Sequence, residues 1–239
     1  MGAGKSRRLW SQTCGVLLES IRRMRPGENR LETEEALTRR LNVSRATVRE
    51  AMDTLVWQGY VTRRQGKGNF AHPSVGQLRH RMDLDADFLR LIRTEDQEGD
   101  CRNLRCGFAR ASQAMARRFP RPCGRVYELH WLYTLGETPM IFCKIALPEE
   151  VLTLPPEPPA RGETLYQWIA RFCGRDFAYF AAHLGCQADE DAAQALALPR
   201  ETVVQNWQEI FYDLSDEPVA FCEVFFHPEN MDLSMVLRP

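Results

Sequence analysis

Arg45, Thr47 and Arg49 stand close together, and the run Arg64-Gln65-Gly66-Lys67-Gly68 follows soon after. Arginine can bond guanine through two parallel hydrogen bonds in the major groove, and a threonine hydroxyl can reach a base edge or a phosphate. A basic run with glycines at its tip can approach the DNA backbone closely. The chemistry these residues point to is recognition of double-stranded DNA. No comparable set exists for catalysis, because His183 and His227 are isolated in sequence and joined to no Ser or Cys motif. The eight cysteines form no CxxC pair, and Cys101, Cys106, Cys123 and His130 do not have the spacing of the usual zinc knuckles. No metal and no cofactor is expected. Gly4-Lys5-Ser6 echoes the end of a phosphate-binding loop but lacks the glycine five positions earlier. The segment reads instead as a flexible basic arm, with Lys5, Arg7 and Arg8 available to phosphates.

These side chains need elements to carry them. Val48, Ala51, Met52, Leu55 and Val56 recur at helical spacing and mark one buried face. Ser44 caps that helix, Gly59 ends it, and Arg45, Thr47 and Arg49 fall off its apolar stripe. A shorter helix comes before it, capped by Thr33, with Glu34 and Glu35 at the positive end of its dipole and Leu37 and Leu41 on its inner edge. After Gly59, Tyr60-Val61-Thr62 and Asn69-Phe70-Ala71 read as two short strands around the glycine-rich turn. A first helix near residues 9–24 places Trp10, Cys14, Leu17, Ile21 and Met24 on one face and ends at Pro26-Gly27. Helix, turn, helix and basic ribbon make a winged helix-turn-helix over residues 1–72.

The stretch VSRATVREAMDTLVWQGYVTRRQGKGNF resembles the signature of GntR-type bacterial transcription regulators. It departs from the family where Leu31-Glu32-Thr33-Glu34 replaces Leu-Pro-Ser-Glu and where Asn69 replaces a common Thr. Glu35 stands where some members carry a DNA-contacting arginine. The resemblance implies that Thr33, Ser44, Arg45, Thr47, Arg49 and residues 64–68 form the DNA contact. It also implies a homodimer on a palindromic operator, acting as a repressor.

Charge is divided along the chain. Residues 1–75 hold 14 Lys+Arg against 7 Asp+Glu, a net +7, and the remainder holds 17 against 25, a net −8. A basic module joined to an acidic one fits a DNA-binding part attached to something else. The absence of a signal peptide and of a long apolar run points to a cytoplasmic protein with reduced thiols and no membrane partner. Residues 73–82 read as a linker. The remaining segment, 83–239, contains an internal repeat: the stretches from Ala111 and from Ala192 each run short helix, proline, strand, turn, strand. With Pro139 on Pro218, Tyr133 falls on Tyr212, Leu135 on Leu214, Phe142 on Phe221 and Cys143 on Cys222. Gly136-Glu137 and Ser215-Asp216 supply the turns. The two hairpins are expected to join in one antiparallel sheet, one face covered by helices near Thr164–Cys173 and Asp189–Ala197, with a ligand pocket between the halves.

Glu163-Thr164-Leu165-Tyr166-Gln167-Trp168 and Glu217-Pro218-Val219-Ala220-Phe221-Cys222-Glu223 resemble the UTRA domain, the effector sensor of the HutC branch of GntR regulators. The resemblance implies an α+β fold, an antiparallel sheet flanked by helices as in chorismate lyase. Several UTRA sensors hold sugar phosphates through two arginines, and those positions are Trp131 and Tyr133 here, so the basic clamp is missing. Arg93 and Thr94 lie near the family's effector loop, Tyr166 opens a helix and is expected to reach the pocket, and Glu223 matches a frequent family glutamate. The implied function is a non-enzymatic, ligand-responsive transcription regulator with a small-molecule effector. Two other readings stand beside it: a second domain that only dimerises, and an enzyme on a lyase-like fold.

Overall fold

The computed structural model describes residues 2–25, 27–84, 87–94, 96–160 and 163–238, with the side chains of residues 2–8 outside that description. Pro26 lies outside the described residues. The chain divides into two compact units, Met1–Leu84 with Leu233–Pro239, and Asp85–Asp232.

The first unit contains α1 (Gly2–Arg22), α2 (Glu34–Leu41), α3 (Arg45–Trp57), β1 (Val61–Arg64), β2 (Gly68–Ala71) and the short α4 (Pro73–Gly76). Helix α1 takes in the stretch expected as a flexible arm. Its Leu17 and Ile21 pack with Leu37 of α2 and with Val48, Ala51, Met52 and Leu55 of α3 in one core, against which Trp10, Cys14 and Met24 also lie. The α2–α3 corner turns at Asn42, which adopts the left-handed conformation (φ 52°) that asparagine tolerates better than most residues. Strands β1 and β2 pair antiparallel from Val61↔Ala71 to Arg64↔Gly68. Asn29 and Leu31 bond the outer edge of β2, with Leu31 N–H to the Asn69 carbonyl at 2.9 Å and Ala71 N–H to the Asn29 carbonyl at 2.7 Å.

The C-terminal segment belongs to this first unit, whereas the sequence reading placed all of 83–239 in the second. Met82 N–H donates to the Ser234 carbonyl at 3.0 Å, and Ser234 N–H to the His80 carbonyl at 3.2 Å. Arg238 Nη1 donates to the Val56 carbonyl at 2.6 Å at the end of α3. Arg81, within the expected linker, is buried, forked onto Asp83, and set 5.1 Å from the centre of the Tyr60 ring.

The second unit contains α5 (Phe88–Ile92), β3 (Gly99–Arg110), α6 (Gln113–Arg118), β4 (Arg125–Leu135), β5 (Thr138–Pro148), α7 (Leu165–Cys173), β6 (Phe177–Ala188), α8 (Glu190–Ala195), β7 (Val203–Asp213) and β8 (Pro218–Phe226). Six strands form one antiparallel sheet in the order β3-β4-β5-β8-β7-β6. The two expected hairpins meet at β5–β8, from Ile141↔Phe226 to Ala146↔Phe221. Each repeat unit also has an edge strand that the sequence reading did not assign: β3-α6-β4-β5 is echoed by β6-α8-β7-β8.

The repeat is shifted by one residue in its first hairpin strands. Tyr133 pairs with Ile141, and Phe211 with Ala220. Phe142 and Phe221 hold equivalent places under α8 and α6, as do Leu132 and Ile210, and Val204 and Val126. Tyr133 therefore corresponds to Phe211, not to Tyr212, and Trp131 corresponds to Glu209. The cause is the turn: Gly136-Glu137 joins Leu135↔Thr138, whereas the second hairpin carries one more residue between Tyr212↔Pro218 than the first does between Thr134↔Pro139. Helices α7 and α8 also cover opposite faces of the sheet, not one. Trp168 of α7 stacks on Tyr127 at 5.6 Å, while Ala192 of α8 packs with Leu132, Phe142 and Phe225, whose side chains alternate to the other side.

Candidate functional site

On the first unit, two side-chain caps set the candidate DNA face. Thr33 Oγ1 accepts from Ala36 N–H at 3.2 Å, and Ser44 Oγ accepts from Thr47 N–H at 3.1 Å. Both hydroxyls satisfy first-turn donors that the helix leaves open. Ser44 also shares a 2.8 Å hydroxyl contact with Thr47. Arg45 and Arg49 project from α3 with side chains 74% and 69% exposed, on the side opposite its buried stripe. Each has an acidic neighbour on α2: Arg45 lies 3.9 Å from Glu35, and Arg49 lies 3.4 Å from Glu34. Arg63 joins this network through Glu34 at 3.5 Å and Asp53 at 2.9 Å. Exposed pairs of this kind are easily exchanged for phosphate partners, because water and salt screen them. Arg64, Gln65, Gly66 and Lys67 are exposed at the ribbon tip, with Gly68 half-buried. Gly66 and Gly68 both carry positive φ (72° and 105°), which a glycine adopts without strain.

On the second unit, a small, narrow cavity lies on the α7 side of the sheet. The start of α5 supplies Asp87, Phe88 and Leu89, the start of α7 supplies Thr164, Leu165 and Tyr166, and the sheet supplies Cys101, Tyr133, Glu209, Phe211 and Cys222. The α7 terminus is fixed by a capping box, in which Thr164 Oγ1 accepts from Gln167 N–H and the Gln167 side chain accepts from Thr164 N–H at 3.0 Å. Phe88 meets Tyr133 edge-on at 5.4 Å, and Tyr166 lies 6.3 Å from Phe211. Glu209 is 2% exposed, and its Oε1 has no hydrogen-bond partner among the described residues. Burial without a compensating donor pushes its carboxyl up to about 8. Tyr133 is also driven upward by burial.

The structure brings together only part of the expected effector set. Tyr133 and Tyr166 line the cavity. Trp131 shares their face of the sheet but lies in the core, 1% exposed, outside the cavity wall. Glu223 requires correction. Its side chain faces the opposite side of the sheet, because it pairs with Lys144, which alternates away from Cys143 and Ile145. There it accepts from Gln187 and Gln208, each at 3.4 Å. Arg93 and Thr94 lie in the exposed turn after α5, where Arg93 is 3.9 Å from Glu98 and Thr94 Oγ1 accepts from Gln97 N–H at 3.1 Å. Neither lines the cavity. Glu209 was missed because ungapped alignment of the repeat sets it against His130, a position on the other face. The signal that could have found it was a glutamate inside an otherwise apolar strand, Trp207-Gln208-Glu209-Ile210-Phe211.

His130 is a satisfied core histidine, 2.8 Å from Glu128. His227 accepts from the N–H groups of Glu229 and Asn230, each at 3.2 Å, so its ring caps a turn. All eight cysteines are free thiols, and no metal-holding cluster occurs among the described residues. No helix among those residues is long and apolar enough to cross a membrane.

A winged helix-turn-helix followed by a sheet that encloses a small cavity is the build of a ligand-sensing transcription regulator. Residues 96–232, more than half of the chain, match the UTRA domain, and residues 17–70 match the bacterial regulatory proteins of the gntR family. The chain belongs to the UTRA-bearing, GntR/HutC type of regulator. A relative described as the uncharacterized HTH-type transcriptional regulator YurK, from Bacillus subtilis strain 168, is 40% identical over 68 residues, spanning 28% of each chain. The structure of a possible transcriptional regulator, YydK of Bacillus subtilis, superposes over 97% of this chain and 99% of its own, with a TM-score of 0.64 and 14% identity. PhnF of Mycobacterium smegmatis covers 95% of this chain and 99% of its own, with a TM-score of 0.56 and 17% identity. The likeness to YydK and PhnF establishes the fold. The family is one of regulators, not enzymes.

Proposed function

We propose that this protein is a repressor that binds a palindromic operator as a homodimer and releases or grips it according to a small molecule in the second unit. One observation carries the DNA half: the outer face of α3 is exposed and carries Arg45 and Arg49 beside a glycine-tipped basic ribbon. A helix of this kind fits the major groove, and the ribbon adds phosphate contacts. The net charge of +7 over residues 1–75 supports it. The sensing half is supported by the cavity, which is walled by α5, α7 and the sheet and carries in its wall a carboxyl oxygen with no hydrogen-bond partner among the described residues. A ligand that prefers one of two dimer conformations would change the spacing of the two α3 helices and hence operator affinity.

The test is DNA selection with the full-length chain, followed by binding titrations with Arg45→Ala and Arg49→Ala. Each variant should lose about 1–3 kcal/mol of discrimination for the selected sequence, while binding to random DNA falls much less. Retention of full discrimination by both would reject α3 as the reading helix. Sedimentation of the free protein reports the dimer.

A further inference from the structure

The sensor cavity carries a chemical specification that the family assignment does not. Four of its walls are aromatic: Phe88, Tyr133, Tyr166 and Phe211. Two carboxylates also line it: Asp87, which caps α5 through Leu89 N–H at 3.0 Å, and Glu209. Glu209 is the one with an open oxygen. It is almost fully buried, lies between Trp207 and Phe211 on β7 and opposite Cys222 on β8, and its Oε1 has no donor among the described residues. Nine-tenths or more of buried polar groups in folded proteins find a partner, so a carboxyl oxygen left open in a cavity wall is a place for a donor from outside the chain, a water or a ligand. Among the described residues, Arg175 is committed to Asp213 at 2.6 Å, and Lys144, on the opposite face of the sheet, to Asp189 and Asp191.

Ring faces present negative charge, and a cation within about 6 Å of a ring centre is attracted to them. Rings around a buried carboxylate therefore favour positive charge twice. Anions are opposed by the same groups, since Glu209 would repel them once ionised.

We propose that the effector is a small organic cation, an amine or amidine, whose charged nitrogen bonds Glu209 while its apolar body lies among Phe88, Tyr133, Tyr166 and Phe211. This rests on the cavity being the effector site. Empty, the cavity favours the protonated carboxyl, because nothing offsets the loss of hydration. The arriving cation reverses that balance, and binding near neutral pH releases a proton from Glu209 to solvent.

The test uses a charge series of one shape on the full-length protein: benzamidine (cationic), benzamide (neutral) and benzoate (anionic). Calorimetric titration at pH 7 in two buffers of different ionisation enthalpy reads affinity and proton release together. Benzamidine is expected to bind at least tenfold more tightly than benzamide and to release a substantial fraction of one proton, with benzoate weakest. Glu209→Gln should weaken benzamidine at least tenfold, leave benzamide within about twofold and abolish the proton release. The benzamide arm confirms that the variant is folded with its cavity intact. Equal or tighter binding of benzamide or benzoate, or an unchanged benzamidine affinity in Glu209→Gln, overturns the proposal. If benzamide or benzoate binds and Tyr166→Ala abolishes it, the cavity is an effector site and only the cation assignment fails. If no member of the series binds, both readings fail.

Discussion

Glu209 should make the free protein less stable as pH rises, and the size of the effect follows from its burial. The carboxyl moves from an ordinary value of 4.5 to about 8 in the fold. Between those values the folded chain holds a proton that the unfolded chain has released. Stability is therefore greatest below about pH 4.5, falls across the window and levels off above about 8. At about 1.36 kcal/mol per pH unit, the loss attributable to this group is about 3 kcal/mol at pH 7 and approaches about 5 kcal/mol above pH 8. Glu209→Gln removes the titration and leaves a neutral side chain of similar shape. Its unpartnered amide has a cost, but that cost does not vary with pH. The readout is the difference between variant and wild type, measured by urea unfolding at pH 5 and pH 8. Trp131, Trp168 and Trp207 report on the sheet unit. The difference should move in favour of the variant by several kcal/mol between the two pH values. A difference that is the same at both would mean that Glu209 is solvated or paired, and would remove the physical basis for a cation in the cavity.

Other outcomes follow from the first unit. Ser44→Ala should cost about 1 kcal/mol of stability, seen in thermal melts, because Thr47 N–H loses its acceptor. Glu35→Gln should tighten DNA binding severalfold at low salt, in fluorescence anisotropy, by removing the negative neighbour 3.9 Å from Arg45, with the gain shrinking as salt is raised. Lys67→Ala should weaken binding to all sequences alike and reduce the salt slope by about one. Truncation after Asp232 should destabilise the first unit by about 1–3 kcal/mol, because it removes Ser234, Val236 and Arg238 from the end of α3 and the segment after α4.

The first unit was legible because its signals are local. Apolar spacing in α3, the Ser44 and Thr33 caps and the Gly66–Gly68 turn each act within a few residues. The second unit was legible in outline, since Pro139/Pro218 and Phe142/Phe221 mark the repeated hairpins correctly. What failed depended on one residue of register. An extra residue in the second turn moves Glu209 from the face expected for it onto the cavity face, because a strand reverses its side chains at every step. Glu223 was named from the family resemblance alone, and its place in β8, paired with Lys144, puts it on the other face. The edge strands β3 and β6 escaped notice because their pattern is half-exposed along much of their length, without the long apolar runs of β5 and β8. The tail's return to the first unit carries no local signature at all; it depends on backbone bonds to residues distant in sequence.

The most direct test of the whole account is selection of DNA from a random pool by the full-length protein, repeated with Arg45→Ala/Arg49→Ala. The account predicts enrichment of an inverted repeat whose half-sites lie about one or more helical turns apart, bound by two chains, and its loss in the double variant. No enriched sequence, or an enriched sequence that the double variant still selects, would contradict the assignment of α3 as a reading helix and with it the role of this protein as a sequence-specific regulator.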